Sequence, residues 1–585
     1  MLSLFHTKKS FTRAFFSQIR SISEAIEFND PELKVKIGLE IHARILSKTK
    51  LFSDADCFDL TNTPVNKNVG FFDAAFPGTM PALNRRGIEA GLLTALALNC
   101  DINVMSYFER KHYFYADLPA GYQITQQRNP IAQNGYFKYP VVNPKTHKLS
   151  YNNCKIKRIQ LEHDSARSLQ IDDVFLKLNK KQKLPENTLL IDLNRAGMGL
   201  MEIVTDPDFE SAFECYSFAR ELALTLKSIG TCDAQMGEGG FRVDVNVSVH
   251  EIDKSSDPPI VLPGTRVELK NLSSFNAILK GTEYEIKRQR EMIRKKQPIL
   301  LETRTYDSIK GITISLRSKE NQYDYRFMPE PNLLPLIVYS THLKPNLDTL
   351  KCDNNKQLCL SHEFFEKLHS FKNQPEFYCD FDKVKDQFEH KDLPDKRRMF
   401  LVNKYGMTHE IAFIFVANNL DYIIKKLISH RNITKEDLKL YTRVLLTEYL
   451  NQVNENPDLE KIDFELQCAK IQSFIVLIKN KKISRRIWLS FFKKLFDFKN
   501  LNKLAHELAK DEDLYVITDG QLIQSTINKV FEQNPKATNE YKMKDKKRKK
   551  IFDFFVGQVH KELRNIAEPE LVEELVLKNL KNLIY

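Results

Sequence analysis

The sequence lacks paired cysteines and long apolar runs. Its nine cysteines are scattered over 585 residues without a CxxC pair. This argues against a disulfide framework and a cysteine-only zinc site, and it favours a reducing compartment. No run of eighteen apolar residues occurs, so we expect no membrane-spanning helix. A chain of this length, with 42% hydrophobic and 28% charged residues, is typical of a soluble globular protein of about three or four domains.

Two kinds of catalytic signature are also missing. The chain has no GxxxxGK[ST] segment, which argues against a P-loop ATPase. It has neither a GxSxG segment nor a paired cysteine and histidine that would mark a covalent nucleophile. Chemistry through a covalent enzyme intermediate is therefore not visibly encoded.

Acidic residues are absent from the first 23 positions, which carry four bases and an amphipathic spacing of Phe and Ile. That composition is typical of a mitochondrial transit peptide, whereas a secretory signal needs a continuous apolar stretch. We predict a transit peptide over residues 1–30, with a disordered basic tail as the alternative. The predicted location of the mature chain is the mitochondrial matrix.

The formal net charge of +12 is concentrated in two places. The first 23 residues contribute +4, and residues 542–550, KMKDKKRKK, contribute +6, so the rest of the chain is nearly balanced. A local basic run can bind nucleic acid or an anionic membrane surface, or it can form a solvated loop. The sequence alone leaves these alternatives open.

Hydrophobic periodicity divides the rest of the chain into a strand-rich part and a helical part. Residues 31–340 are mostly strand-like with a few helices, and residues 341–455 and 456–585 are helical. We predict an α+β fold, with a mixed or antiparallel sheet in the first domain. A helical domain and a small all-helical tail domain follow.

Several of the strand-like segments alternate with period two, so that one face is apolar and the other polar. The polar faces are rich in Asp and Asn, which are poor strand formers and need a reason to be there. A merely solvated sheet is the alternative. The polar residues include Glu40, His42, Arg158, Gln160, Glu162, Asp164, Asp192, Asn194, Arg242, Asp244, Asn246, Glu268 and Lys270.

These polar faces have the composition of a magnesium and phosphate site. Glu40 and His42 share one strand face, and Glu162 and Glu202 lie in two other segments. Oxygen-rich clusters with one or two carboxylates per strand suit Mg²⁺. A glycine-rich turn, MGEGGFR, ends in Arg242, which with Lys270 could meet phosphate oxygens. A plain hairpin is the alternative for that turn.

Ten motifs that follow one another in a fixed order identify the family that the sequence resembles. They are IGLEIHARILSKTKLFS (37–53), FPGTMPALNRRGIEAGLLTALALNC (76–100), ERKHYFYADLPAGYQITQ (109–126), LEHDSAR (161–167), IDLNRAGMGLMEIVTDPD (191–208), GEGGFRVDVNVSV (237–249), GTRVELKNLSSF (264–275), RSKENQYDYRFMPEPNLLPL (317–336), LPDKRR (393–398) and VGQVHKEL (556–563). Their order and wording closely resemble the B subunit of glutamyl-tRNA(Gln) amidotransferase, over nearly all of residues 34–580.

The resemblance implies a division of labour between this chain and a partner. The partner, the glutaminase subunit of the amidotransferase, hydrolyses glutamine to ammonia. The B subunit uses ATP and Mg²⁺ to phosphorylate the side chain of Glu-tRNA(Gln), and ammonia then displaces phosphate to give Gln-tRNA(Gln). The resemblance also implies a catalytic cradle domain over residues 31–340, a tRNA-contacting tail over 456–585 and a small third subunit that bridges the other two.

Site residues follow from the motif positions and the polar strand faces. The metal ligands are expected at Glu40, His42, Glu162 and Glu202. Catalytic roles are expected for Glu40, His42, Asp192, Asn194, Asp244 and Lys270. Phosphate contacts of the nucleotide are expected at Arg167, Arg242 and Lys270.

Three departures from the family pattern stand out. LEHDSAR replaces the usual two glutamates followed by Asp-Ala-Gly-Lys, which leaves the metal ligand among Glu162, His163 and Asp164 undetermined. Bacterial members often carry two zinc-binding cysteine pairs between the positions of Phe52 and Met80, whereas this chain keeps Cys57 alone, so we expect no zinc. The basic run precedes the tail helix and either strengthens tRNA contact or is a solvated insertion.

Two rival functions remain open at this point. One is a catalytically inert RNA-binding subunit that serves assembly. The altered LEHDSAR segment is compatible with this alternative. The other is the same chemistry on Asp-tRNA(Asn), since nothing in the sequence separates the two tRNAs.

Overall fold

The structure is a computed structural model that describes residues 32–57, 63–142, 148–169, 188–256, 258–318, 324–339, 378–429, 434–456, 459, 462–543 and 548–583. The predicted transit peptide, the predicted boundary at residues 340 and 341 and the middle of the basic run lie outside these residues. The chain divides into two compact units between Met399 and Phe400. The three predicted domains remain a prediction.

Eighteen strands lie within the described residues. They are β1 Leu33–Arg44, β2 Asp101–Ile102, β3 Met105–Ser106, β4 Glu109–His112, β5 Tyr122–Thr125, β6 Ala132–Val142, β7 Leu149–His163, β8 Arg167–Leu169, β9 Leu190–Asp192, β10 Gly199–Thr205, β11 Phe241–Asp253, β12 Ile260–Leu262, β13 Val267–Lys270, β14 Glu302–Asp307, β15 Ile312–Ser318, β16 Met328–Pro329, β17 Leu336–Tyr339 and β18 Tyr378–Asp380.

The α-helices of the described residues number sixteen. They are α1 Arg85–Ala97, α2 Ala212–Ile229, α3 Phe275–Arg294, α4 Phe381–Glu389, α5 Pro394–Tyr405, α6 His409–Ala417, α7 Leu420–Ile428, α8 Lys435–Val444, α9 Leu450–Glu455, α10 Phe464–Lys479, α11 Trp488–Leu495, α12 Ala505–Asp511, α13 Gly520–Gln533, α14 Pro535–Met543, α15 Arg548–Glu562 and α16 Pro569–Asn582.

A ten-stranded sheet organises the first unit. Its order is β15-β14-β13-β11-β1-β10-β7-β6-β2, and β12 pairs with β11. The pair β13 and β14 is parallel, and the other pairs of this sheet are antiparallel. The sheet-rich first part and the helical second part confirm the predicted α+β class with a mixed sheet.

The apolar face of the sheet forms the core of the first unit. Ile37, Leu39 and Ile41 of β1 are fully buried, as are the alternating valines of β11. Helices α1, α2 and α3 pack on the strands, and Thr94 of α1 contacts Met201 of β10 through its hydroxyl. Burying one face leaves the opposite face of the same strands free for polar chemistry.

Capping side chains fix where two of the packed helices, α2 and α3, begin. Ser211 accepts a hydrogen bond from the Glu214 amide at the start of α2, and Ser274 caps α3 in the same way. Gly230 caps the C-terminus of α2. Its φ of 75° lies in the left-handed region, which is strained for residues other than glycine. These caps satisfy amides that the helix itself leaves unpaired.

Strand β1 lies at the centre of the sheet, between β11 and β10. Glu40 is opposite Asp244 of β11, and His42 is opposite Glu202 of β10 and Arg242 of β11. Because side chains alternate along a strand, these residues all project from the polar face.

The second unit is helical. Helices α13, α15 and α16 surround an apolar core that includes Ile527, Phe555 and Val576, all fully buried. No helix of the described residues, in either unit, is long and apolar enough to cross a bilayer.

His560 is the polar exception in this second core. Its side chain is fully buried, and neither ring nitrogen has a hydrogen-bond partner. Burial, with a smaller contribution from Arg486, lowers its pKa to about 4. The unfolded chain therefore binds a proton that the folded chain does not, at any pH between about 6.5 and 4, so stability falls as the pH drops through this window.

We therefore expect His560→Met to stabilise the chain at acid pH. The His560-dependent loss between pH 6.5 and 5 is about 2 kcal/mol and disappears in the variant. Denaturant unfolding of the full chain at both pH values measures it. His506→Met, at an exposed position, is the matched control. Parallel pH profiles for wild type and His560→Met would contradict the expectation.

Candidate active site

The polar face of the central strands carries one continuous array of charged side chains. Cross-strand neighbours run from Lys270 and Asp244 through Glu40 in one row, and from Arg242 through His42 to Glu202 and Gln160 in the next. Glu162 lies two residues after Gln160 on β7, so it projects from the same face. The strands thus bring together segments that are far apart in sequence.

His42, Glu162 and Glu202 form the first group. One potential ligand atom from each lies within 4.8 Å of those from the other two. His42 Nε2 is 3.4 Å from Glu162 Oε1. Side chains from neighbouring strands hold the carboxylates: Gln160 donates to Glu202, and Thr125 of β5 donates to Glu162.

The first group has two buried carboxylates and no close positive charge, which favours the binding of a cation. Glu162 and Glu202 are buried. Among the described residues no Lys or Arg lies within ion-pair distance of either, and the one basic side chain at such a distance is His42, beside Glu162. Burial raises the pKa of Glu202 to about 8, and repulsion from Glu162 and Glu40 adds to it. Burial first, then Arg242, Lys270 and Lys111, lower the pKa of His42, which keeps its imidazole neutral.

This donor set fits a divalent metal. Two carboxylates and a neutral imidazole nitrogen converge, and an ion between them would remove the repulsion of two buried carboxylates that have no other close counter-charge. Mg²⁺ is held by one or two protein carboxylates and keeps other positions for water and phosphate.

Glu40, Asp244 and Glu268 form the second group, with potential ligand atoms also within 4.8 Å of one another. Here a cation is already present. Lys270 Nζ lies 2.6 Å from Asp244 and 3.1 Å from Glu268, and Asn246 donates to Glu40. The second group therefore has a close lysine counter-charge from the protein itself, in contrast to the first.

The three candidate metal ligands of the LEHDSAR segment have different partners. Glu162 belongs to the first group. His163 lies edge-on to Phe52, 5.8 Å away between ring centroids, and accepts from the Ile124 amide. Asp164 pairs with Arg242 at 3.0 Å and with Arg195 at 3.6 Å. The geometry thus favours Glu162 as the metal ligand of this segment.

Arg242 is the predicted phosphate contact that lies nearest the first group, since its cross-strand neighbour is His42. Its guanidinium is held by Asp164 at the edge of the site. Lys270 lies on the other side of β11, between Asp244 and Glu268.

Asp192 and Asn194 lie apart from these groups. β9 pairs with β8 in a separate two-stranded sheet, so neither residue lies on the polar face of the main sheet. Asp192 accepts from the amide of Asn66, and Asn194 accepts from that of Asn68 and donates to Pro64. Both therefore anchor the segment before Gly70, and their catalytic role stays a prediction. Arg167 is exposed on β8.

A buried ion pair anchors the end of the same segment at Gly70. Lys50 Nζ lies 3.0 Å from Asp73 Oδ2, and both side chains are fully inaccessible. Asp73 Oδ2 also accepts from Ser53 and the Gly70 amide, and Lys50 donates to the Leu193 carbonyl. The sequence did not predict this pair, because two charges 23 positions apart carry no periodic signal.

Two family models cover most of the chain. The one described as the GatB/GatE catalytic domain matches residues 35–344, and the one described as the GatB domain matches residues 429–580. The chain belongs to the GatB family of tRNA amidotransferase subunits. The resemblance inferred from the sequence motifs is thereby confirmed.

Individual relatives of this family agree over nearly the whole length. The mitochondrial B subunit of glutamyl-tRNA(Gln) amidotransferase from Danio rerio is 36% identical, over 93% of this chain and 89% of the relative. The Homo sapiens protein of that name is 35% identical over 93% and 88%. The B subunit of a Rickettsia felis aspartyl/glutamyl-tRNA(Asn/Gln) amidotransferase is 33% identical over 95% and 99%. The mitochondrial relatives indicate the mitochondrion as the compartment.

The structure brings together residues that the sequence named in large part. His42, Glu162 and Glu202 come together as predicted, while Glu40 lies one row away with Asp244. Sequence reasoning placed Gln160 on the polar face by its strand parity but gave it no role, and it missed Thr125. Gln160 donates to Glu202, and Thr125 donates to Glu162.

Proposed function

We propose that the chain is the transferring subunit of an amidotransferase that converts Glu-tRNA(Gln) to Gln-tRNA(Gln) with ATP and Mg²⁺. Such an enzyme is a carbon–nitrogen ligase with glutamine as amido donor. One observation carries the proposal. The buried carboxylates of Glu162 and Glu202 face each other beside the neutral imidazole of His42, without a close Lys or Arg among the described residues.

The chemistry needs a better leaving group than the glutamyl carboxylate provides. A carboxylate oxygen attacks the γ-phosphorus of ATP, and the bond to ADP breaks. Ammonia then attacks the acyl carbon, the C–O bond breaks, and phosphate leaves. A bound Mg²⁺ supplies charge neutralisation for the phosphates during the transfer.

The protein's own residues would position the metal ion and neutralise the charge of the phosphates. His42, Glu162 and Glu202 would hold the ion, and Gln160 and Thr125 fix the carboxylates. Arg242 and Lys270 flank the group with fixed positive charges that favour the anionic acyl phosphate. Their partners Asp164 and Asp244 keep both cations in place before substrate arrives.

The remaining parts of the proposal concern partners and place. A glutaminase subunit would supply ammonia by hydrolysing glutamine, and a small third subunit would join the two. Relatives with mitochondrial names support the mitochondrion as the compartment, and we place the complex in its matrix. Described bases at the ends of the basic run, including Lys542 and Arg548, would give the tail electrostatic contact with tRNA phosphates.

Two substrates are compatible with the family. The Rickettsia felis relative is named for both Asn and Gln tRNAs, which keeps Asp-tRNA(Asn) as a second candidate. An inert assembly role predicts no ATP consumption with either tRNA.

We expect the purified complex, given ATP, Mg²⁺ and glutamine, to amidate mitochondrial Glu-tRNA(Gln). ATP consumption should depend on that tRNA, because phosphoryl transfer needs the acceptor carboxylate. Parallel reactions with Asp-tRNA(Asn) measure the preference. Equal rates on both would assign a dual substrate, and tRNA-dependent ATP consumption on neither would overturn the proposal in favour of an assembly role.

A further inference from the structure

Lys111 projects from β4 toward the first group. In the antiparallel pair of β4 and β5, Lys111 is opposite Gln123, and Thr125 lies two residues further along β5. Side chains at these positions share one face of the pair. Thr125 donates to Glu162. Gln123 donates to the His163 carbonyl, so the shared face is turned to the first group.

Aromatic rings hold the ammonium group of Lys111. Its Nζ lies 4.7 Å from the ring centroid of Tyr325 and 5.8 Å from that of Tyr113. The His112 amide donates to the Tyr325 carbonyl, which ties this ring to the end of β4. Ring faces attract a cation but accept no strong hydrogen bond. The rings therefore fix the position of the ammonium and leave its N–H donors available.

Lys111 differs from the other cations beside the site in its lack of an acidic partner. Arg242 and Lys270 each pair with a carboxylate. Within the part of the chain that the structure describes, no carboxylate lies within ion-pair distance of Lys111 Nζ. Burial raises the pKa of Glu162, and the positive charge of Lys111 opposes that rise. The charge of Lys111 therefore acts on the first group, while its donors can meet an incoming anion.

Lys111 and the two predicted phosphate contacts lie on opposite sides of the first group. The order of the central strands is β11-β1-β10-β7, and Arg242 lies on β11, whereas Lys111 approaches past β7, which β5 contacts. Phosphoryl transfer places the attacking and leaving oxygens roughly in line, on opposite sides of the phosphorus. With nucleotide phosphates on the side of Arg242 and Lys270, the acceptor carboxylate belongs on the side of Lys111.

We propose that Lys111 binds the side-chain carboxylate of the glutamate carried by the tRNA, and thereby distinguishes this substrate from the amide product. The assignment rests on the proposed function, because it takes phosphoryl transfer at the first group as its starting point. One carboxylate oxygen accepts from the ammonium, and the other attacks the phosphorus. The ammonium offsets the repulsion between this carboxylate and the phosphates of ATP. Amidation makes the side chain neutral, so the attraction to Lys111 is lost in the product.

Exposed rings next to Lys111 favour an RNA end as the carrier of this carboxylate. Phe114 and Tyr115 follow Tyr113 in the chain, and their side chains are 87% and 52% exposed. Unpaired nucleotides at RNA ends stack on such rings. A glutamate esterified to that end would bring its carboxylate to the side of the site on which Lys111 lies.

Binding of charged and neutral aminoacyl-tRNA tests the assignment. Glu-tRNA(Gln) and Gln-tRNA(Gln) are titrated against the purified complex without ATP or glutamine, so that neither is converted. Wild type should prefer the glutamyl form about tenfold or more, because a charged hydrogen bond is made to the carboxylate alone. Lys111→Met should bind both forms equally, and Lys111→Arg should keep much of the preference. Affinity for Mg-ADP should not change in either variant.

Lys138→Met is the matched control. Lys138 Nζ also lies 4.7 Å from a tyrosine ring centroid, that of Tyr151, but it is opposite Asn153, nine residues along β7 from Glu162. This variant should keep the wild-type preference. Equal binding of both forms by wild type, or a preference that survives in Lys111→Met, would overturn the assignment. Weaker Mg-ADP binding with an unchanged preference would place Lys111 against the nucleotide and overturn it as well.

Failure of this assignment and failure of the proposed function give different results. A complex whose preference for Glu-tRNA(Gln) disappears in Lys111→Met, but that forms no Gln-tRNA(Gln) with ATP and glutamine, supports the role of Lys111 and contradicts the function. A complex that forms product, while Lys111→Met keeps the preference, supports the function and contradicts the role of Lys111.

Discussion

We expect His42→Ala to lower the rate of Gln-tRNA(Gln) formation by roughly a hundred- to a thousandfold. The substitution removes the one neutral donor of the first group and leaves Glu162 and Glu202 with no third ligand. A divalent ion is then held weakly, and charge on the phosphates is poorly neutralised. Amide formation by the purified complex, with ATP, Mg²⁺ and glutamine, measures the loss.

The control separates chemistry from assembly. Complex formation and glutaminase activity should stay at wild-type levels in His42→Ala, because the ammonia-releasing step is proposed for another subunit. His409→Ala removes an exposed imidazole from the second unit and should leave amide formation unchanged. Full activity of His42→Ala would mean that the group is a solvated part of the sheet and that phosphoryl transfer occurs elsewhere.

The second large effect is structural. We expect Lys50→Met to cost about 3–5 kcal/mol, because it leaves the carboxylate of Asp73 buried and without its counter-charge. The Ser53 hydroxyl and the Gly70 amide are neutral donors and compensate only in part. Denaturant unfolding of the full chain gives the free energy. Hydrogen exchange over residues 63–80 shows whether this segment opens first.

Two further variants show whether the buried charge of Asp73 causes the loss of stability. Lys48→Met changes an exposed lysine two positions away and should be close to neutral. Adding Asp73→Asn to Lys50→Met should recover most of the loss, since the amide keeps an acceptor for Gly70 without a buried charge. If the double variant is as unstable as Lys50→Met, lost packing of the lysine stem is the cause instead.

Period-two alternation predicted which residues of the central strands lie on the polar face. Each strand's parity follows from its own sequence, so the polar assignment of Glu40, His42 and Glu162 needed no knowledge of neighbouring strands. Glu202 came from its motif, and the sheet brings it opposite His42. Family motifs added the order of the segments.

What the sequence could not give is the lateral order of the strands. Alternation says nothing about which strand lies beside which, so the separation of Glu40 from the first group, and its union with Asp244 and Glu268, appear only in the folded sheet. The same holds for Asp192. Its segment alternates, yet it pairs in a separate sheet.

A cleft of about 490 Å³ on the polar face of the main sheet also depends on the lateral order of the strands. Lys36, Arg158 and Arg266 come from separate segments that meet around β11, β1 and β10, and each alone is an ordinary charged residue. Only their convergence around Gly38 makes a concave site.

The central position of β1 affects how the chain matures. β1 is the first strand of the described chain, yet its partners β10 and β11 begin about 165 and 210 residues later. A nascent chain that has passed Arg44 therefore carries a strand with an apolar face and two unpaired edges until Thr205 has been made, and one unpaired edge until Asp253 has been made. Such edges are prone to wrong pairing and are a reason for chaperone protection. His42, among the first residues synthesised, is thus among the last to reach its place.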